Sequence, residues 1–144
     1  MKIKIINKSN NPLPSYESES SAGMDLKAFT SNDITINPLE RTIIKTGLFI
    51  SLPIGYEGQV RSRSGLSIKY GVCVLNSPGT IDSDYRGEIG VILINLSNDP
   101  FVISNGDRIA QLVIAKHDQG EWIEVNELEL TKRGDKGFGS TGIK

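Results

Sequence analysis

Two stretches of this sequence gather side chains that could act on a phosphate ester. Gly79-Thr80-Ile81-Asp82-Ser83-Asp84-Tyr85-Arg86-Gly87-Glu88 packs three carboxylates and a tyrosine into a turn-rich segment. A carboxylate held there beside a cleft could take a proton from water as a general base. An ordinary loop whose aspartates make Asx-turn hydrogen bonds explains the same residues. A calcium loop does not, because it needs further oxygen ligands and a glutamate at its twelfth position. Arg61-Ser62-Arg63-Ser64-Gly65-Leu66 brings two guanidiniums, hydroxyls and free backbone N–H groups to the start of a predicted helix, a combination suited to phosphate. The plainer reading is Ser64 as N-cap beside two exposed arginines. No Walker loop and no dinucleotide-binding glycine motif is present, so any phosphate site has another architecture.

Counting removes other chemistries. Cys73 is the only cysteine and His117 the only histidine, which excludes disulfide scaffolds, zinc ribbons and any hydrolase triad that does not use His117. Cys73 reads most simply as a small buried group, His117 as a surface imidazole and Trp122 as a core or rim aromatic. With 16 Lys+Arg against 17 Asp+Glu, nothing global points to nucleic acid. The sequence begins without a signal-type apolar segment and has no apolar run near about 18 residues, so a cytoplasmic, non-membrane protein is expected.

The elements that must position these residues are strands. The chain has 144 residues, enough for one domain, and holds 19 Ile, 7 Val and 7 Thr against 4 Ala. Fifteen Gly and 6 Pro break it at intervals too short for long helices. Strands are predicted at residues 3–6, 24–29, 33–38, 41–52, 59–62, 72–75 and 88–96. A turn is predicted at Gly55-Tyr56-Glu57-Gly58. Phe101 to Ile103 and Arg108 to Ala115 read as a strand pair split by Asn105-Gly106, a hairpin dipeptide. Trp122 to Val125 reads as a last edge. The single predicted helix runs from Ser64 to Tyr70, with Gly71 as its stop. From Thr131 to Lys144 the chain is glycine-rich, with four basic residues against one acidic, so it cannot pack a core of its own. Phe138 within it suggests a surface to stack on.

In order, Ala22-Gly23-Met24-Asp25-Leu26, Arg63-Ser64-Gly65-Leu66, Gly79 through Gly87, Gly106-Asp107-Arg108-Ile109-Ala110-Gln111, and Arg133-Gly134 with Gly137-Phe138-Gly139-Ser140-Thr141-Gly142 resemble the five motifs of the trimeric dUTP pyrophosphatases, or dUTPases. The resemblance implies an all-β, jelly-roll-like barrel (β-clip) over residues 1–130 with one short helix, and a flexible C-terminal lid over 131–144. It implies a homotrimer with shared active sites, no nucleic-acid or membrane partner, and hydrolysis of dUTP to dUMP and pyrophosphate. That reaction keeps uracil out of DNA and supplies dUMP for thymidylate synthesis.

Residue by residue, it implies Asp82 as the base that activates water against the α-phosphorus. Arg63, Ser64 and the Gly65 amide would hold phosphates, and Gln111 would join them from a neighbouring subunit. Asn76 and the backbone from Gly79 through Thr80 and Ile81 to Asp82 would read uracil, and Tyr85 would lie against deoxyribose and exclude a 2′-hydroxyl. Asp25 would help place Mg²⁺ through water. Arg133, Phe138, Gly139, Ser140 and Thr141 would close over the nucleotide. Lys136 stands where the family commonly has Gly, and Ser62 replaces a frequent proline. A dCTP deaminase of the same fold would need a glutamate base on the strand after the hairpin, where this chain has Val91-Ile92-Leu93-Ile94. A nucleotide-binding module without turnover is a further alternative, against which the intact Asp82 and complete tail argue.

Overall fold

The computed structural model describes residues 1–137. Among them are eleven strands and one helix: β1 (Lys4–Asn7), β2 (Gly23–Lys27), β3 (Ile34–Ile36), β4 (Arg41–Lys45), β5 (Leu48–Ser51), β6 (Tyr56–Arg61), α1 (Ser64–Tyr70), β7 (Val72–Val74), β8 (Gly79–Ile81), β9 (Gly90–Asn95), β10 (Phe101–Ile103) and β11 (Arg108–Lys116). The strands pair antiparallel in four sheets, ordered β1-β5, β10-β3, β2-β11-β6-β8 and β4-β9-β7. This is the expected jelly-roll-like β architecture, although among the described residues no sheet closes into a barrel. No helix here is long and apolar enough to cross a membrane.

Each sheet turns one face inward, as period-two alternation requires. Along β9, Val91, Leu93 and Asn95 are buried while Ile92 and Ile94 are half-buried. Val91 and Leu93 join Leu26, Ile44, Val72 and Ile103 in a single apolar cluster whose last buried member along the chain is Leu112. In β11 the alternation slips, because a register irregularity between Arg108 and Ala110 leaves Ile109 and Ala110 both buried. The slip puts Arg108 and Gln111, three residues apart, on the same outward face as Asp25, the cross-strand partner of Gln111.

Several boundaries differ from the sequence reading. The apolar run from Arg41 to Leu52 is two strands, broken where buried Thr46 donates its hydroxyl to the Ile89 carbonyl at 2.6 Å and Gly47 takes φ +70°. A Cβ on Gly47 would lie 2.8 Å from the Ser9 backbone nitrogen, so glycine is required there. Tyr56-Glu57-Gly58 is the start of β6 rather than a turn, because Tyr56 to Gly58 pair with Ile114 to Lys116. Ser64 is the first helical residue, not the cap: Arg63 occupies the N-cap position and makes no side-chain cap bond, while Gly71 ends the helix at φ +64° as expected. β10 and β11 are not a hairpin pair. β10 pairs with β3, and β11 lies between β2 and β6. Around Asn105-Gly106 the Asp107 carboxylate accepts the Ser104 N–H at 2.8 Å, forming a turn that passes the chain between sheets. Residues 122–125 form no strand, and Trp122 is 98% exposed, outside the core.

Asn95 is the buried polar linchpin of β9. Its amide donates to the Ile36 carbonyl at 2.9 Å and the Asp99 carbonyl at 2.8 Å, and its oxygen accepts the Ser97 N–H at 2.9 Å. Asn95→Ala would strand several of these partners and is expected to lower stability by about 2–4 kcal/mol. Urea unfolding checks it, and a loss under about 1 kcal/mol would contradict the assignment.

Candidate functional site

The residues singled out in the sequence fall into two sets on the chain. The first surrounds a cavity of about 320 Å³ lined by Asn76, Gly79, Thr80, Ile81, Asp82 and Tyr85, closed by Val60, Ile43, Gly90, Ile92 and Glu88. β8 builds it: Gly79 and Ile81 pair with Val60 and Gly58 of β6, which fixes the β8 backbone against the sheet. A Cβ on Gly79 would come within 3.0 Å of the Asn76 amide nitrogen, so the bare glycine lets Asn76 lie over the strand. Asp82 follows β8 directly and is exposed at the rim, where a carboxylate meets solvent water. Its backbone carbonyl accepts the Tyr85 N–H at 3.2 Å, the turn that brings the tyrosine back towards the cavity. The Tyr85 ring folds over Gly87, leaving no room for a side chain there, and its hydroxyl donates to the Glu88 carbonyl at 3.1 Å.

The second set lies where β2, β11 and the start of α1 meet. Arg63 donates from Nε to Asp25 Oδ1 at 3.1 Å and from a terminal nitrogen to the Arg108 carbonyl at 2.9 Å. Arg108 donates to the other Asp25 oxygen at 3.2 Å. Asp25 is thus held between two guanidiniums, and its half-buried carboxylate fixes Arg63 at the helix start. Gln111 donates to the Ser62 carbonyl at 2.9 Å, and its side chain fills the space beside Gly23. Ser62 also accepts the Val74 N–H on its hydroxyl at 2.9 Å, a bond that proline at this position could not make. Ser64 and Gly65 are exposed, with open space where a Gly65 side chain would stand. The surface is cationic, rich in backbone donors, and accessible to an anion.

Among the described residues no side-chain hydrogen bond or ion pair joins the two sets. Arg133 is exposed, its Nε donating to the Lys136 carbonyl at 3.1 Å within its own turn. Phe138, Gly139, Ser140 and Thr141 lie outside the described residues. Sequence reasoning missed Arg108 and Glu88 as parts of these sets, although both sit inside motifs it singled out. Their side-chain partners, Asp25 and Gly47, are 83 and 41 residues distant, so no local signal marks them.

For a metal, the described residues offer no group of three or more Asp, Glu, His or Cys side chains. A protein cage is therefore not available among them. The donor set does fit a cation that arrives on phosphate oxygens, since Asp25 keeps lone pairs that can accept from a coordinated water.

Comparison with known proteins gives a consistent picture. The dUTPase family model matches residues 9–142. Deoxyuridine 5'-triphosphate nucleotidohydrolase of Finegoldia magna is 60% identical over 142 residues, covering 99% of each chain. The protein of the same name from Cytophaga hutchinsonii is 56% identical over 140 residues, covering 97% of this chain and 91% of its own. The dUTPase of Staphylococcus bacteriophage 80alpha, solved with dUPNHPP, superposes with a TM-score of 0.89 at 28% identity over 99% of both chains. A mutant dUTPase from phage phi11 of S. aureus, described with a structural Mg(II) ion, superposes with a TM-score of 0.81 at 25% identity, over 90% of this chain and 100% of that one.

Proposed function

This chain belongs to the dUTPase family, and from that premise we propose that it is a dUTP diphosphatase, hydrolysing dUTP to dUMP and pyrophosphate. The observation that carries the reading is the cavity in which Asn76, β8 and Tyr85 converge with Asp82 at its rim. Uracil enters that cavity edge-on, meeting the Asn76 amide and the β8 backbone, while Tyr85 lies along the sugar and leaves no room for a 2′-hydroxyl. Asp82 accepts a proton from a water aimed at the α-phosphorus, so that hydroxide character develops as the bond to the leaving pyrophosphate breaks. Arg63, Ser64, the Gly65 amide and Gln111 hold the phosphates, and the clamp of Asp25 on Arg63 keeps that guanidinium oriented before substrate arrives. Asp25 would help hold Mg²⁺ through coordinated water, and the ion would supply neutralisation of the triphosphate charge. Residues 131–144, with Arg133, Phe138, Gly139, Ser140 and Thr141, act as a lid over residues 1–130.

The working form is a homotrimer in which one subunit's cavity faces another's phosphate set. Two observations support this. Among the described residues no side-chain hydrogen bond or ion pair joins the two sets, and the described segment after β11 exposes Trp122, Ile123, Leu128 and Leu130 almost fully. That segment carries Glu121, Glu124, Glu127 and Glu129, whereas the region of β1, whose Ile6 is also exposed, carries Lys2, Lys4 and Lys8. Opposite charge and bare apolar surface on two regions of one chain suit contact between copies. In the cell, the reaction keeps uracil out of DNA and supplies dUMP for thymidylate synthesis.

The test is turnover across dUTP, dTTP, UTP and dCTP with and without Mg²⁺. Pyrophosphate release is expected from dUTP with Mg²⁺, and at least about 100-fold less from the others, as a site built on hydrogen bonds and steric exclusion discriminates. Ammonia release from dCTP, or tight dUTP binding without turnover, would overturn the reading.

A further inference from the structure

Glu88 has no part in the roles above, yet it ties the cavity to the body of the fold. Its Oε1 accepts the Gly47 N–H at 2.8 Å. That donor is fixed, because Gly47 sits at φ +70° pressed against Ser9 and Phe29, in the break between β4 and β5. Two further bonds brace the same junction: the Thr46 hydroxyl donates to the Ile89 carbonyl at 2.6 Å, and the Ile89 N–H to the Leu48 carbonyl at 2.8 Å. On the cavity side, the Tyr85 hydroxyl donates to the Glu88 carbonyl, and the ring lies over Gly87. A continuous chain of contacts therefore runs from the Gly47 turn through the Glu88 side chain and peptide to the Tyr85 ring.

We propose that Glu88 is a positioning residue: its carboxylate anchors the loop to Gly47, and so sets where the Tyr85 ring stands and how strictly the site separates deoxyribonucleotide from ribonucleotide. The proposal rests on the reading of Tyr85 as the group that meets the sugar. A charged acceptor makes this N–H bond stronger than a neutral one, and its loss leaves the N–H of buried Gly47 without its partner. The loop then relaxes at its base, and a small displacement of the ring is enough to spoil a steric exclusion that depends on one hydroxyl group.

The experiment compares kcat and KM for dUTP and UTP in the full-length protein and its Glu88→Ala, Glu88→Gln and Tyr85→Ala variants, with thermal unfolding measured on each. Glu88→Ala is expected to raise KM for dUTP about tenfold with kcat within about twofold, and to lower the dUTP/UTP ratio of kcat/KM about tenfold. Glu88→Gln, whose amide oxygen can accept the same N–H, is expected to restore both. A purely structural role would shift the unfolding temperature and leave the ratio alone. The proposal is overturned if Tyr85→Ala lowers the ratio while Glu88→Ala keeps it, or if Glu88→Gln gives no rescue. If Tyr85→Ala itself keeps the ratio, the underlying reading of Tyr85 fails, and the proposal falls with it. Should Glu88→Ala not fold, Glu88→Asp, which withdraws the carboxylate by one methylene, is read in its place against the same expectations.

Discussion

Asp82→Asn is expected to lower dUTP turnover by about 10²–10⁴-fold, the range a positioned general base contributes, while changing the affinity for nucleotide only a few-fold. The amide has nearly the shape of the carboxylate and can hold a water by hydrogen bonds, but it cannot take the proton that makes the water a nucleophile. The fold should be indifferent, because Asp82 is exposed at the cavity rim and contributes nothing to the apolar cluster. The comparison needs single-turnover pyrophosphate release for the chemical step and calorimetry with a non-hydrolysable dUTP analogue for binding. Turnover within about tenfold of wild type would move the base elsewhere, with Asp84, two residues on and also exposed, as the next candidate.

Removing residues 131–144 is expected to leave a folded protein that binds nucleotide weakly and turns it over at least about 100-fold more slowly. Folding should survive because the apolar cluster and the side chains packed on it end at Ile114. Residues 131–137 are exposed, so little burial is lost with them. Ordering a glycine-rich segment is costly. Bound nucleotide can offset that cost if Phe138 stacks on the base, worth roughly 1–3 kcal/mol, and Arg133 bonds to phosphate, worth about 1.5–3 kcal/mol. The closed segment would exclude bulk water and hold the α-phosphate in line with the attacking water. Full-length turnover by the truncated protein would show that the segment is only a solvated end.

The fold class was legible because β-branched residues so outnumber alanine that no helical architecture could be written from this sequence. Short-range punctuation was legible too: Gly71 stops the helix as read. What escaped was set by partners far along the chain. Thr46-Gly47 looks like part of an apolar run until Ile89 and Ser9 are brought beside it. Asn105-Gly106 carries a hairpin signal, yet its flanking strands find better partners in β3, β2 and β6. At the candidate site, the sequence offers the proposed residues in order along the chain. Their division into two sets could not, since it depends on Gln111 pairing with both Asp25 and Arg61 across the sheet.

That division has an arithmetic consequence for mixtures of damaged subunits. If the working form is the proposed homotrimer, one of Asp82→Asn chains would have intact phosphate sets and dead cavities, and one of Arg63→Ala chains the reverse. Unfolded together at equal amounts and refolded, the two would assemble at random. A site that draws its cavity and its phosphate set from different subunits would then be whole in about a quarter of cases, although neither parent has a whole site. Activity reborn from two inactive preparations would be a signature of shared ownership, whereas sites complete within one chain would stay silent at every mixing ratio.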